Sequence, residues 1–344
     1  MNRLAALPRA TIALTLALIV GACASAPAPK LPTPALQPSR LEGPFDVASK
    51  RAASGRPIVV FDCRTPPTPA RHGGAIEPSK LEDLVRAIAA MSDAYVRASP
   101  ADAAPARCAL DWLDAWALEE ALLERPGRGE ARTARLRALA GLSLAYLKIR
   151  DEKTLVHDRK ELVEAWLAAA THSALSYALA RDAGEIANDR AYWVALAAAA
   201  AGAASGDRGL FDWGIERCRE ALGQRESIAA PTLHDDLQIL APLIMTAELA
   251  AANGVDFYSE PERAIHRRIG RVRAALDDGG RGGAGGRPSV AGESFGAGLA
   301  WVEPYVARFP DPSLSRWVAP YRPLSNPWLG GDATLLFAAR GAAS

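Results

Sequence analysis

Six consecutive residues, Asn188-Asp189-Arg190-Ala191-Tyr192-Trp193, are the most informative stretch of the chain, with an amide, a carboxylate, a guanidinium and a phenol close together. The Arg190 guanidinium can neutralise a carboxylate, and the Tyr192 phenol can protonate a leaving oxygen. His234 can serve as a base where the fold brings it close. The bland alternative for Asn188, Tyr192 and Trp193 is helix packing.

Other constellations are weaker. The five histidines, His72, His157, His172, His234 and His266, form no pair at helical ligand spacing. His234-Asp235-Asp236 offers metal-ligand types, but successive residues on a helix diverge by about 100°. Acidic residues at a helix N-terminus explain that run more simply. Glu119-Glu120 and Asp235-Asp236 are the visible carboxylate pairs for glycoside hydrolysis, and solvated helix faces account for both. Gly292-Glu293-Ser294-Phe295-Gly296 matches a nucleophile-elbow pattern, but no histidine follows it. Of the eight tryptophans most should be core, with a few able to stack on sugar rings.

The elements that position these residues read as helices. Ser79-Lys80-Leu81-Glu82 is a capping-box pattern, followed by Leu81, Leu84, Val85, Ile88 and Tyr95 at helical spacing. A second helix carries Cys108, Trp112, Leu113 and Trp116, and Pro126-Gly127-Arg128-Gly129 is a turn. Further helices are expected near Glu130–Arg150, Asp158–Ala180, Asp189–Ser205, Leu210–Leu222, His234–Ala252 and Pro261–Leu276. Asn253-Gly254 is a helix stop, and Ser259-Glu260-Pro261-Glu262 is a second capping box. Residues 56–61 allow a short strand. Residues 279–298 are Gly-rich and read as a mobile loop. Short connections favour antiparallel neighbours, so periodicity gives one all-α domain of stacked helical hairpins.

Composition narrows the function classes. With 344 residues, 49% hydrophobic and 23% charged, the chain can bury a large core. Without Arg3 and Arg9 the 40 basic residues fall to 38 against 39 acidic, a net of −1. That balance, with no basic tract interleaved with aromatics, argues against nucleic acid. Arg3 and Arg9 precede an apolar run, Ala10 to Val20, too short to span a bilayer. It ends in Val20-Gly21-Ala22-Cys23, which looks like a bacterial lipobox, with ordinary cleavage at small-x-small sites as the rival. The expectation is a leader at residues 1–22, a Pro/Ala-rich tether at 23–55 and one domain at 56–344. The mature protein would sit in the periplasm, anchored to the outer membrane through lipidated Cys23. Cys63, Cys108 and Cys218 then leave one disulfide and one thiol, with Cys218 a buried free thiol.

The hexapeptide resembles the Asn-Asn-His-x-Tyr-Trp signature of mannuronate-specific alginate lyases. Supporting blocks follow in order: Cys108-Ala109-Leu110-Asp111-Trp112-Leu113, Leu210-Phe211-Asp212-Trp213, Leu240-Ala241-Pro242-Leu243-Ile244-Met245, Ala300-Trp301-Val302-Glu303-Pro304-Tyr305, Arg322-Pro323-Leu324 and Leu329-Gly330-Gly331-Asp332. The likeness runs from about Cys63 to Phe337. It implies an incomplete α/α toroid with a substrate groove, a Cys63–Cys108 disulfide, and β-elimination on an acidic polysaccharide such as a mannuronate polymer. From the residues themselves, no cofactor and no metal are expected. Asn188, Asp189 and Trp193 become candidate substrate contacts, and Arg190, Tyr192 and His234 a rewired catalytic trio.

The chain departs from the family at its chemical positions. Asp189 and Arg190 stand where the family has Asn and His. In the later family segment Arg-x-x-Arg-Ala-Leu-x-Tyr-His, the Tyr position falls on Asp235 and the Arg position on Ile228. The alternative to a lyase is therefore a non-catalytic relative that binds the polymer or its secretion machinery. Carboxylate-based hydrolysis is a third reading.

Overall fold

The computed structural model describes residues 31–32, 40–54, 63, 65–69, 71–72, 75–125, 129–181, 188–223, 233–259, 263–281 and 293–338. The expected leader, residues 23–30, 33–39 and 55 of the expected tether, the 56–61 strand, most of the 279–298 loop, residues 260–262 and the turn residues 126–128 lie outside them.

The helices are α1 (Val47–Ala52), α2 (Pro78–Arg97), α3 (Ala104–Leu118), α4 (Glu130–Ile149), α5 (His157–Arg181), α6 (Asn188–Ser205), α7 (Arg208–Gly223), α8 (Leu233–Ala252), α9 (Ala264–Arg281), α10 (Glu293–Gly298), α11 (Val302–Arg308), α12 (Pro312–Val318) and α13 (Ala333–Phe337). Two antiparallel ribbons complete the description. One pairs β1 (Arg71–His72) with β2 (Ala75–Ile76) and the other pairs β3 (Ser325–Asn326) with β4 (Gly331–Asp332).

Hairpins α2/α3, α4/α5, α6/α7 and α8/α9 form an incomplete α/α toroid, with the even-numbered member of each pair inside. The central inner helices α4 and α6 are apolar nearly all round for most of their length, the pattern of a helix packed on every side, whereas α2 at the edge buries one face. In α4 every residue from Ala138 to Ile149 is buried, and in α6 Val194 to Ala204 is continuous core apart from Gly202. The α6 alanines let neighbours come close. At Gly214 of α7 an added Cβ would stand 2.5 Å from the Ala199 nitrogen and 2.7 Å from the Ala195 oxygen. By contrast α9 alternates Ile265, Ile269, Val272 and Leu276 inward with arginines, as an outer helix should.

The inner helices run parallel. Arg137 near the start of α4 lies over Trp193 near the start of α6, and Arg150 after α4 donates to the Ala203 carbonyl near the end of α6 (2.7 Å). Lys148 in the last turn of α4 pairs with Asp93 late in α2. Arg150 also donates to the Leu41 carbonyl (2.9 Å), and the next residue, Glu42, exchanges two 3.0 Å hydrogen bonds with Asn253 after α8. All four C-termini thus meet at one mouth of the toroid, and the N-termini of α4, α6 and α8 share the other.

The C-terminal mouth is closed by residues 40–54, a segment the sequence assigned to the tether. Leu41 is 2% exposed and sits in the core. Arg51, buried, donates to the carbonyls of Tyr95, Ser99 (3.1 Å), Pro100 (3.0 Å) and Asp102 (3.3 Å). Proline-rich composition hid this docking, which scattered side chains make: Leu41 and Arg51, Phe45 against Phe337, and Lys50 donating to the Ala338 carbonyl.

Two smaller differences have local causes. α2 starts at Pro78, whose fixed φ suits the first helical position, so Ser79 lies inside the first turn rather than capping it. The expected 279–298 loop is helical at both ends, since α9 continues to Arg281 and α10 begins at Glu293. Cys63 and Cys108 are joined by a disulfide, and Cys218 is a buried free thiol.

Candidate functional site

The N-terminal mouth is where the signature hexapeptide lies. Asn188 opens α6, with its side chain outside the described residues, and Asp189 and Arg190 are half-buried in the same turn. Tyr192 and Trp193 are buried, at 2% and 3% exposure. His234 is the second residue of α8, with its side chain likewise outside the described residues. The structure therefore places Arg190, Tyr192 and His234 on the first turns of two parallel inner helices sharing one mouth.

A residue that sequence reasoning missed organises this mouth. Arg137 of α4 sets its guanidinium 5.1 Å from the Trp193 ring centre and 3.8 Å from the Asp189 carboxylate. The first contact is a cation–π geometry. The second is an ion pair too long to be a hydrogen bond. Nε of Arg137 is buried without a partner among the described residues, although the side chain as a whole is 29% exposed. Burial lowers its pKa, and Asp189 works the other way. Arg137 is thus a partly desolvated cation that makes no hydrogen bond among the described residues, and a guanidinium suits a bidentate carboxylate ligand.

A signal for Arg137 was present. Arg132, Arg135 and Arg137 crowd the first two turns of α4, where cations oppose the positive end of the helix macrodipole. Arg135 has a structural explanation: it is 3% exposed and donates to the Glu124 carbonyl (2.6 Å) and to Ser173 (3.4 Å). Burial pushes its pKa down to about 10. Arg137 makes no hydrogen bond of this kind among the described residues, only the Asp189 and Trp193 contacts. The N-termini of α4, α6 and α8 add their partial positive charge, so this mouth suits a polyanion despite the near-neutral chain.

The carboxylate pairs do not form a hydrolytic dyad here. Asp236 is 2% exposed and is held by Arg268 (2.6 Å) and Arg271 (3.0 and 3.1 Å) of α9, so it ties α8 to its outer partner. Asp235 is exposed in the same turn, and Glu119 and Glu120 are exposed at the end of α3. Among the described residues no group of three or more His, Cys, Asp or Glu is placed to hold a metal ion.

The blocks carrying the strongest resemblance prove to be scaffold. Glu303 is fully buried and receives Arg322 side-on (Nε 2.6 Å, Nη2 3.1 Å) together with the Thr334 hydroxyl (2.8 Å). Asp93 accepts Lys148 and the Asp332 backbone N–H (2.9 Å). Gly331, at φ +121°, leaves the space that Asp93 occupies.

Comparison with known proteins agrees with this geometry. The sequence profile of the family described as "Alginate lyase" matches residues 56–228, half of the chain. An alginate lyase of Azotobacter vinelandii is 30% identical over 262 residues, 67% of this chain and 66% of that protein. The match thus spans just under two thirds of that relative's length. A polysaccharide lyase of Stenotrophomonas maltophilia is 30% identical over 280 residues, 74% of this chain and 78% of that one. Among solved structures, a histidine-to-alanine variant of alginate lyase A1-III complexed with a tetrasaccharide superposes with a TM-score of 0.71. It is 23% identical, with 86% of this chain and 95% of that chain covered. Alginate lyase A1-III from Sphingomonas species A1 gives a TM-score of 0.67, also at 23% identity and with the same coverage. These two likenesses concern the fold, an α/α toroid.

Proposed function

The chain belongs to the alginate lyase family, and from that premise we propose that it acts on a uronate polysaccharide of the alginate class by β-elimination. The observation that carries this reading is Arg137, a partly buried guanidinium beside Asp189 and Trp193 that makes no hydrogen bond among the described residues. In β-elimination a base takes the proton from C5, its electron pair forms the C4–C5 double bond, and the C4–O4 bond breaks as the leaving oxygen gains a proton. The C5–H acidifies only when the adjacent carboxylate is neutralised. Arg137 with Arg190 fits that task, and His234 fits that of base. Tyr192 is the proton donor named by sequence. Its 2% exposure favours a packing role for the ring.

A second reading has its own observation. Asp189 places a negative charge where the family has an amide, and the Arg190 guanidinium offers donors and no acceptor, so neither replaces an Asn-His pair directly. The protein would then hold the polymer without cleaving it, alone or with secretion machinery. For either reading we propose an exported, lipid-anchored protein, supported by the leader, Cys23 and the Cys63–Cys108 disulfide.

Incubation with mannuronate-rich, guluronate-rich and other uronate polymers separates these readings. A rise in the ultraviolet absorbance of unsaturated ends supports the lyase. Retention of polymer with no unsaturation supports the binder. New reducing ends without unsaturation mark hydrolysis, and absence of both binding and cleavage sinks the uronate assignment.

A further inference from the structure

A pocket of about 370 Å³ lies at the opposite end of α8 from the N-terminal mouth and is lined by Asp256, Tyr258, Ser259, Arg263, His266 and Phe309. That volume falls within the ~300–1,000 Å³ typical of small-molecule sites. Its walls are rigid. Tyr258 donates to Glu248 (2.6 Å), which also receives Arg308 side-on (2.9 and 2.7 Å). His266 Nδ1 bonds the Tyr305 hydroxyl at 2.9 Å. Phe309 meets both His266 and Tyr258 edge-on, with ring centres 4.8 Å apart in each case.

The polar groups of the pocket differ from this framework. Arg263 is exposed, has a left-handed backbone (φ +57°), and makes no ion pair among the described residues. The left-handed region is uncommon for a non-glycine residue. His266 Nε2 has no partner among the described residues, and burial, then Arg263, lowers the His266 pKa, which keeps the ring neutral. Asp256 is fixed by the Tyr258 N–H and the Ser259 hydroxyl, both at 2.8 Å, and presents an ionised carboxylate.

We propose that this pocket is a second saccharide site, holding one uronate unit of an acidic polysaccharide outside the groove. The apolar C–H face of a pyranose ring suits the aromatic wall. The Arg263 fork receives the sugar carboxylate. His266 Nε2 and the Asp256 carboxylate engage ring hydroxyls. The proposal rests on the uronate reading above and adds a second point of attachment, which raises retention on a long polymer through effective concentration.

The test titrates a mannuronate trisaccharide into the full-length protein and three variants, Arg137→Gln, Arg263→Gln and Arg263→Lys, by calorimetry, with a neutral glucose trisaccharide as control. Two binding classes are expected in the parent protein. Arg263→Gln should weaken one class at least tenfold and leave the other within twofold, Arg263→Lys should restore part of the loss, and Arg137→Gln should do the reverse. Arg263 is exposed, so its variants should match the parent in thermal unfolding. One class, lost in Arg137→Gln and untouched in Arg263→Gln, overturns the second site and leaves the groove reading standing. One class lost only in Arg263→Gln supports the pocket and counts against the groove. Equal binding of the neutral trisaccharide, or none of either, overturns the pocket proposal.

Discussion

Arg137 and Asp189 face each other across the mouth of the toroid at 3.8 Å, close enough to attract and too far to hydrogen-bond. An incoming uronate carboxylate therefore competes with a weak partner. An ion pair this exposed is worth at most about 1 kcal/mol. Asp189→Asn should tighten binding of a mannuronate oligomer by up to about fivefold. Arg137→Gln should weaken it by about tenfold or more, the loss of a charge-assisted hydrogen bond. Calorimetric titration of both variants checks this. Unchanged affinity in Arg137→Gln would remove Arg137 from the site.

Glu303 and Arg322 carry the opposite kind of pairing, short, side-on and without solvent on the carboxylate. Their cost and gain nearly cancel while both are present. Removing one partner exposes the imbalance. Arg322→Ala should destabilise the fold by about 3–5 kcal/mol, because it leaves a buried carboxylate with only the Thr334 hydroxyl. The double variant Arg322→Met with Glu303→Leu should recover most of that loss. Urea unfolding of the single and double variants reads the difference, and an additive double variant would contradict the account.

The helical spans were legible because α4 and α6 carry long apolar runs, while α2 and α9 carry a clear 3.6-residue stripe. The predicted Glu130–Arg150 and Asp189–Ser205 each fall within one residue of α4 and α6. Their arrangement was not legible from periodicity. What makes the inner helices parallel is a set of contacts distant in sequence, such as Lys148 with Asp93 and Arg150 with Ala203. The site was legible where it is contiguous, at residues 188–193, and hidden where Arg137 reaches it from another helix. Resemblance found the right blocks, but Glu303, Arg322 and Asp332 serve packing there, so likeness alone could not separate scaffold from chemistry.

Asp311 caps α12 and predicts a pH effect of definite sign. Its carboxylate accepts the N–H groups of Leu314 and Ser313 (3.0 Å each) and pairs with Arg273 at 3.2 Å. The Leu314 bond is the largest cause holding its pKa below the ordinary value, with Arg273 adding to it and burial opposing. The stabilisation is fully present above the unfolded pKa of about 3.9 and is lost as pH falls through the lower folded value. Asp311→Ala should therefore cost about 1 kcal/mol near neutral pH. The gap should close as the buffer is taken below the ordinary carboxylate range. Paired urea titrations across that range would refute the account if the gap stayed constant.

Two helical glycines should respond to the same substitution with opposite signs. Gly214 of α7 lies against α6, where a methyl group would press on the Ala199 nitrogen at 2.5 Å and the Ala195 oxygen at 2.7 Å, both main-chain atoms that cannot swing away. Gly214→Ala must push α7 off α6 and should cost about 1–3 kcal/mol. Gly270 of α9 is exposed, with nothing within 4 Å of an added Cβ. There the methyl group meets no atom and the unfolded chain loses freedom, so Gly270→Ala should stabilise by about 0.5–1 kcal/mol. Thermal unfolding of the two variants beside the parent gives the comparison. Because both changes add the same group to a helix, a shift in the same direction would show that the close α6–α7 approach is not what sets the response.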